Sequence, residues 1–114
     1  MILSAIRERL ECEVLVGEDR MDTEIATVAA SDGMSAVLAS PCRRALLITG
    51  LTNIQSVRTA HMADLAAVLY VRGVRPNEKA IEFARQKGIV LLSTRLGMFE
   101  SCGRLHGHEL RGVT

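Results

Sequence analysis

ALLITGLTNIQSVRTAHMAD, Ala45 to Asp64, is an apolar run that ends in Thr-Gly and passes through Leu-Thr-Asn into a helical pattern. The run has strand length. It is continuously apolar rather than alternating, which marks a strand buried on both faces. After Asn53, Ile54, Val57, His61 and Leu65 fall on one helical face, with Arg58 and Met62 at its edge and Gln55, Ser56 and Thr59 outside it. Strand, turn and helix together make one βα unit.

Working outward, the unit repeats. RALLITG (Arg44 to Gly50), AAVLYVRG (Ala66 to Gly73) and IVLLSTR (Ile89 to Arg95) recur roughly every 22 residues with helical patterns between them. Buried strands alternating with helices predict βαβ units, and right-handed crossovers place the helices on the sheet faces. The expected fold is therefore α/β: a small three-layer domain with a mainly parallel sheet and βα repeats in the carboxy-terminal two thirds. A chain of 114 residues favours one domain over residues 1–114.

The remaining elements read less regularly. Pro76-Asn77-Glu78 opens a second helix, with Pro76 suited to its first turn, Asn77 to its N-cap and Glu78 to the positive end of the dipole. Gly88 stops it. A last helix is expected from about Met98 to Leu105, with HGHELRGVT a frayed end after it. In the first third, Ile2, Ile6 and Leu10 make a short amphipathic helix. CEVLVG and EIATVAAS are candidate strands, and Ser31 or Asp32 is placed to cap the short helix MSAVLAS.

Composition excludes several functions. The net charge is +1 with no basic run, and aromatics are 3% with no Trp. Phosphate-backbone binding needs clustered Lys and Arg, and single-strand platforms need stacked aromatics, so no nucleic-acid partner is expected. No stretch has spanning length, and MILSAIRERL lacks the layout of a signal peptide. No membrane partner and a cytoplasmic location are the expectations. Cys12, Cys42 and Cys102 form no CxxC pair and read as reduced thiols.

In an open parallel sheet, ligands bind beyond the carboxyl ends of the strands. Those positions hold Thr49, Gly50, Leu51, Thr52 and Asn53, then Arg72 and Gly73, then Ser93, Thr94 and Arg95. The candidate ligand-binding residues are Thr49, Gly50, Thr52, Asn53, Arg72, Gly73, Ser93 and Thr94. The set offers guanidinium groups and hydroxyls, and the free amides of the following helices add partial positive charge. No carboxylate stands among them, so the expected guest is a phosphate, a carboxylate or a nucleotide. The opposite reading is that Thr and Gly only make turns, and that Thr52 or Asn53 only caps a helix. There is no GxxxxGK[ST] or GxGxxG, so a P-loop or Rossmann site is not expected. His106 and His108 form an HxH without a wider ligand set, and neither a metal nor another cofactor is expected. His61 reads as a core or interface histidine. Cys102 lies near Arg104, but no base accompanies it, and no catalytic residue is assigned.

The strings ALLITGLTNIQSVRTA and AAVLYVRGVRPNEKAIEFARQKGIVLLSTRLGMFESCGRL resemble the DRTGG domain, a small α/β module found alone and within larger bacterial and archaeal proteins. VLVGED and ASDGMSAVLAS resemble its short stand-alone members. In typical members the first strand ends in Gly-Asp-Arg and the second in Thr-Gly-Gly. Here those turns are Gly50-Leu51-Thr52-Asn53 and Val71-Arg72-Gly73, while the Ser93-Thr94 pair is kept. The resemblance implies a regulatory or ligand-sensing role rather than a reaction. In larger relatives the domain accompanies adenine-nucleotide-sensing modules of the cystathionine-β-synthase type or precedes acyl-phosphate-handling domains. It is also similar to the amino-terminal domain of the HPr kinase/phosphorylase, and relatives often dimerise. The expectation is a non-enzymatic regulatory module: a homodimer binding a small anionic ligand, such as an adenine nucleotide, or a partner protein, at the strand carboxyl ends. A small enzyme using the same crevice and a purely structural interaction subunit are the alternatives.

Overall fold

The computed structural model describes residues 1–113. One six-stranded sheet carries the chain, in the order β1-β5-β4-β3-β2-β6. The strands are β1 (Glu13–Val16), β2 (Thr27–Ala30), β3 (Leu46–Thr49), β4 (Ala67–Tyr70), β5 (Val90–Ser93) and β6 (Arg111–Gly112). All pairings are parallel except β1 with β5. The three apolar runs are β3, β4 and β5. Every residue of each is buried, as continuous runs require.

Alternate residues of these strands feed two cores. Leu47, Val68, Tyr70 and Leu91 face α2 (Met34–Leu38), α3 (Ile54–Met62) and α4 (Glu78–Lys87). Leu46, Ile48, Leu69 and Leu92 face α1 (Leu3–Arg9) and α5 (Met98–Leu105). The result is three layers. The start of α4 follows the sequence closely: the Asn77 side chain accepts from the Ala80 amide at 2.9 Å, and Gly88 ends the helix at φ 71°.

Three local expectations are corrected. The segment after Gly107 is not a frayed end: Leu110 is buried and Arg111–Gly112 pairs with β2. A two-residue strand of Arg and Gly has no side-chain pattern to betray it, because only its backbone makes the ladder. The α3 face is also rotated. Ser56, Val57, Thr59 and Ala60 are buried, while His61 is exposed and meets Phe83 edge-on at 6.0 Å between ring centroids. Ser56 turns inward because its hydroxyl donates to the Asn53 carbonyl at 2.9 Å and meets the buried Tyr70 hydroxyl at 2.8 Å. Leu65 is buried beyond the helix end, so helical phase never placed it. Finally, Asp32 does not cap α2. Ser31 accepts from the Gly33 amide at 2.9 Å, and the Asp32 carboxylate reaches across to β3.

Candidate functional site

The path of the chain creates the site. From β2 to β5 each strand lies beside its predecessor, and α2, α3 and α4 all pack on one face. After β4 the chain goes to α4 on that face. After β5 it goes to α5 on the other. The two loops leave the sheet in opposite directions, which is the arrangement that opens a crevice at strand carboxyl ends. A recess of about 370 Å³ lies there, lined by Gly73, Arg75, Ser93, Thr94, Arg95 and Leu96 among others.

The loop after β4 is held in an uncommon conformation. Arg72 has φ 61° and Gly73 φ 71°, two consecutive left-handed residues. The Arg72 amide donates to the Leu96 carbonyl at 2.8 Å, and the Gly73 amide donates to the Thr94 carbonyl at 2.8 Å. These bonds fasten the loop to the one after β5. Glu11, Arg44, Asp64 and Glu109 are left-handed as well, so what distinguishes the Arg72 turn is its fastening to the loop after β5. In this conformation the Arg72 guanidinium lies against the Gly50 backbone so closely that a Cβ at Gly50 would collide with it. Gly50 is therefore needed for that approach.

The expected residues fall into two neighbouring groups. Thr49, Gly50 and Arg72 meet at the end of β3. Gly73 and Ser93 line the recess with Thr94. Several of their polar atoms are already engaged. The Asn53 side chain accepts from the Gln55 amide at 3.1 Å as the N-cap of α3. Ser93 Oγ donates to the Val74 carbonyl at 3.2 Å. Thr94 Oγ1 donates to the Leu10 carbonyl at 2.6 Å, tying β5 to the end of α1. Thr52 is half-buried. Arg72 and Arg95 are exposed, and neither guanidinium has a hydrogen-bond partner among the described residues, whereas Arg75 binds Glu13 at 2.6 Å.

The expectation that no carboxylate stands at the strand ends is overturned. Asp32 Oδ1 accepts from the Gly50 amide at 2.7 Å and from Thr49 Oγ1 at 3.0 Å. The Gly50 amide, then the Thr49 hydroxyl, and to a smaller extent the Arg72 charge hold this carboxyl below the usual carboxylate range. Glu11 and Glu13 also border the recess. Sequence reading missed Asp32 because it depends on β2 lying beside β3, which no local pattern reveals.

The thiols are unsuited to attack. Burial pushes Cys12 up to about 12 against the lowering influence of Arg7, and burial also raises Cys102. A reactive thiol needs the opposite shift. Cys42 Sγ donates to the Val37 carbonyl at 3.3 Å within the core. His106 and His108 are both exposed, and among the described residues no three His, Cys, Asp or Glu side chains gather as a metal-ligand set. Among the same residues no helix is long and apolar enough to cross a membrane.

Comparison with known proteins gives a consistent picture. The family model described as the DRTGG domain matches residues 2–107. No curated protein matches the chain significantly. Among solved structures, the chain is similar to the CBS and DRTGG domains of the regulatory region of Clostridium perfringens pyrophosphatase, a structure complexed with its activator, diadenosine tetraphosphate. The TM-score is 0.76 at 17% identity, covering 91% of this chain and 45% of that one. At that identity the likeness concerns the fold, and this chain spans less than half the length of its neighbour.

Proposed function

The chain belongs to the DRTGG domain family, and from that premise we propose that it is a non-enzymatic regulatory module that senses a small anionic ligand at the carboxyl ends of β3, β4 and β5. The observation that carries this reading is the turn after β4. Arg72 is held left-handed against Gly50, beside a polar recess bordered by Gly73, Ser93 and Thr94. The unpaired guanidinium groups of Arg72 and Arg95 provide charge, and the Gly50 and Thr52 region provides donors. A phosphate-bearing ligand, with an adenine nucleotide as the leading class, suits this chemistry. The raised thiols favour a binding role over nucleophilic catalysis.

The mechanism is a shift between loop arrangements. The ligand favours one arrangement of the turns after Gly50, Gly73 and Thr94, and a partner protein reads it. The functional unit is a cytoplasmic homodimer. Phe99, 92% exposed at the start of α5, is an apolar contact available to a second subunit or a partner.

Calorimetry with ATP, diadenosine tetraphosphate and acetyl phosphate on the wild type and Arg72→Ala tests the ligand reading. Binding by the wild type and a loss of about tenfold or more in the variant is expected. Equal affinity in both would remove Arg72 from the site, and no binding by the wild type would remove the anionic ligand. Light scattering tests the dimer: a monomeric mass at working concentration contradicts it.

A further inference from the structure

The corner where β3 ends already contains an anion, and it belongs to the protein. Asp32 comes from the β2–α2 connection and crosses to the neighbouring strand end. One of its carboxylate oxygens accepts both the Gly50 amide, at 2.7 Å, and the Thr49 hydroxyl, at 3.0 Å. The Arg72 guanidinium lies against the same glycine. A backbone N–H and a hydroxyl meet one carboxylate oxygen and a guanidinium stands beside the same glycine, and these are the donors that would receive a phosphate or carboxylate oxygen. The corner is thus an anion cradle, with its occupant visible.

From this geometry we infer that Asp32 is an internal competitor: a ligand's anionic oxygen takes the Gly50 amide, the Thr49 hydroxyl and Arg72 by displacing the Asp32 side chain. The inference rests on the anionic-ligand reading and adds its regulation. Asp32 is exposed, so displacement moves its carboxylate into water rather than stranding a buried charge. The segment released leads directly into α2. That helix has five residues and no side-chain cap at its N-terminus, and the connection before it is held by Ser31, whose amide donates to the Ile48 carbonyl at 3.0 Å and whose hydroxyl accepts from the Gly33 amide at 2.9 Å, so the Asp32 side chain can leave while Ser31 anchors the strand end. Ligand occupancy at β3 is thereby coupled to the position of the β2–α2 connection, which becomes the element that a partner reads.

Arg72 has a different part in the two states. With Asp32 in place, its charge acts on that carboxylate without a direct ion pair among the described residues. With ligand in place, it faces the incoming anion. The competitor sets the affinity: the exchange replaces one carboxylate by another anion on the same donors, so a singly charged ligand gains little. A ligand with several anionic oxygens can hold the Gly50 corner and reach Arg95 together. The favoured class is therefore a di- or polyphosphate rather than a monocarboxylate.

The test uses inorganic pyrophosphate and acetate as probes, with amide chemical shifts read by two-dimensional NMR on the wild type, Asp32→Asn and Asp32→Ala. Asp32→Asn keeps the side-chain shape, so it serves if Asp32→Ala disturbs folding. Expected are a pyrophosphate affinity at least tenfold higher in the variants, weaker binding of acetate throughout, and a shifted Gly50 amide on saturation. Equal or weaker pyrophosphate binding by both variants, with binding still mapped to the strand ends, overturns the competitor and leaves the ligand site standing. Shifts confined to Gly73 and Arg95 with Gly50 unmoved in every protein overturn it likewise. Absence of binding to all three proteins, by pyrophosphate and by ATP, overturns both the competitor and the ligand reading.

Discussion

Replacing Arg72 by glycine separates the residue's role in folding from its role in binding. At φ 61° the arginine occupies a region that costs an L residue about 1–2 kcal/mol relative to right-handed backbone. Glycine removes that cost but makes the unfolded chain more flexible, a loss of about 0.4–1 kcal/mol. The guanidinium has no hydrogen-bond partner among the described residues and the side chain is exposed, so its removal forfeits little packing. The balance is a gain between zero and about 1.6 kcal/mol, centred near 0.8 kcal/mol. For a domain of this size that is an increase of about 3 °C in melting temperature. Arg72→Ala keeps the left-handed strain and should be less stable than Arg72→Gly. Urea and thermal unfolding give the stabilities, and calorimetry with ATP gives binding, where both variants should lose about tenfold or more. A more stable protein that binds less well would mark a turn strained for function. Destabilisation by Arg72→Gly of more than about 1 kcal/mol would instead assign the side chain a role in the fold, because glycine relieves a left-handed position.

Three further outcomes are expected. Ser56→Ala strands the buried Tyr70 hydroxyl and should cost about 1–3 kcal/mol in urea unfolding. Tyr70→Phe should cost less, because Ser56 still donates to the Asn53 carbonyl. The double variant should be no worse than Ser56→Ala alone, and a fully additive loss would contradict the pairing. Leu110→Ala should cost about 2 kcal/mol by cavity formation, since Leu110 anchors β6; no loss would mean that the terminal strand does not dock. The Asp32 carboxyl has a lowered folded-state pKa, so it contributes stability above its unfolded value near 3.9, and that contribution disappears as pH falls through the lowered folded value. Because the group is exposed, the contribution should be well under about 1 kcal/mol. The stability gap between the wild type and Asp32→Asn should therefore be small at pH 7 and close in acid, and a gap that widens in acid would reverse the assignment.

The legible parts of the fold share a physical reason. β3, β4 and β5 are apolar without interruption because two layers of helices cover them, so composition alone marks them. Asn77 and Gly88 mark the ends of α4 because cap chemistry is local. What was hidden depends on neighbours distant in sequence. The inward turn of Ser56 answers to Tyr70 on another strand. β6 is recognised by β2 through backbone alone. The strand-end turns were legible as a place, but their electrostatics were not. The Gly50 turn lacks the charges of typical relatives in its own sequence, yet a carboxylate from β2–α2 and a guanidinium from β4 meet it in space.

Amide chemical shifts of the wild-type protein, followed during titration with ATP, test the proposal that the turns after β3, β4 and β5 form one ligand-sensing edge. Saturable shifts centred on Gly50, Arg72, Gly73 and Arg95 are expected. Shifts centred instead on the apolar groove between Val28, Ala30, Cys102 and Leu110, or no shifts at all, would contradict it.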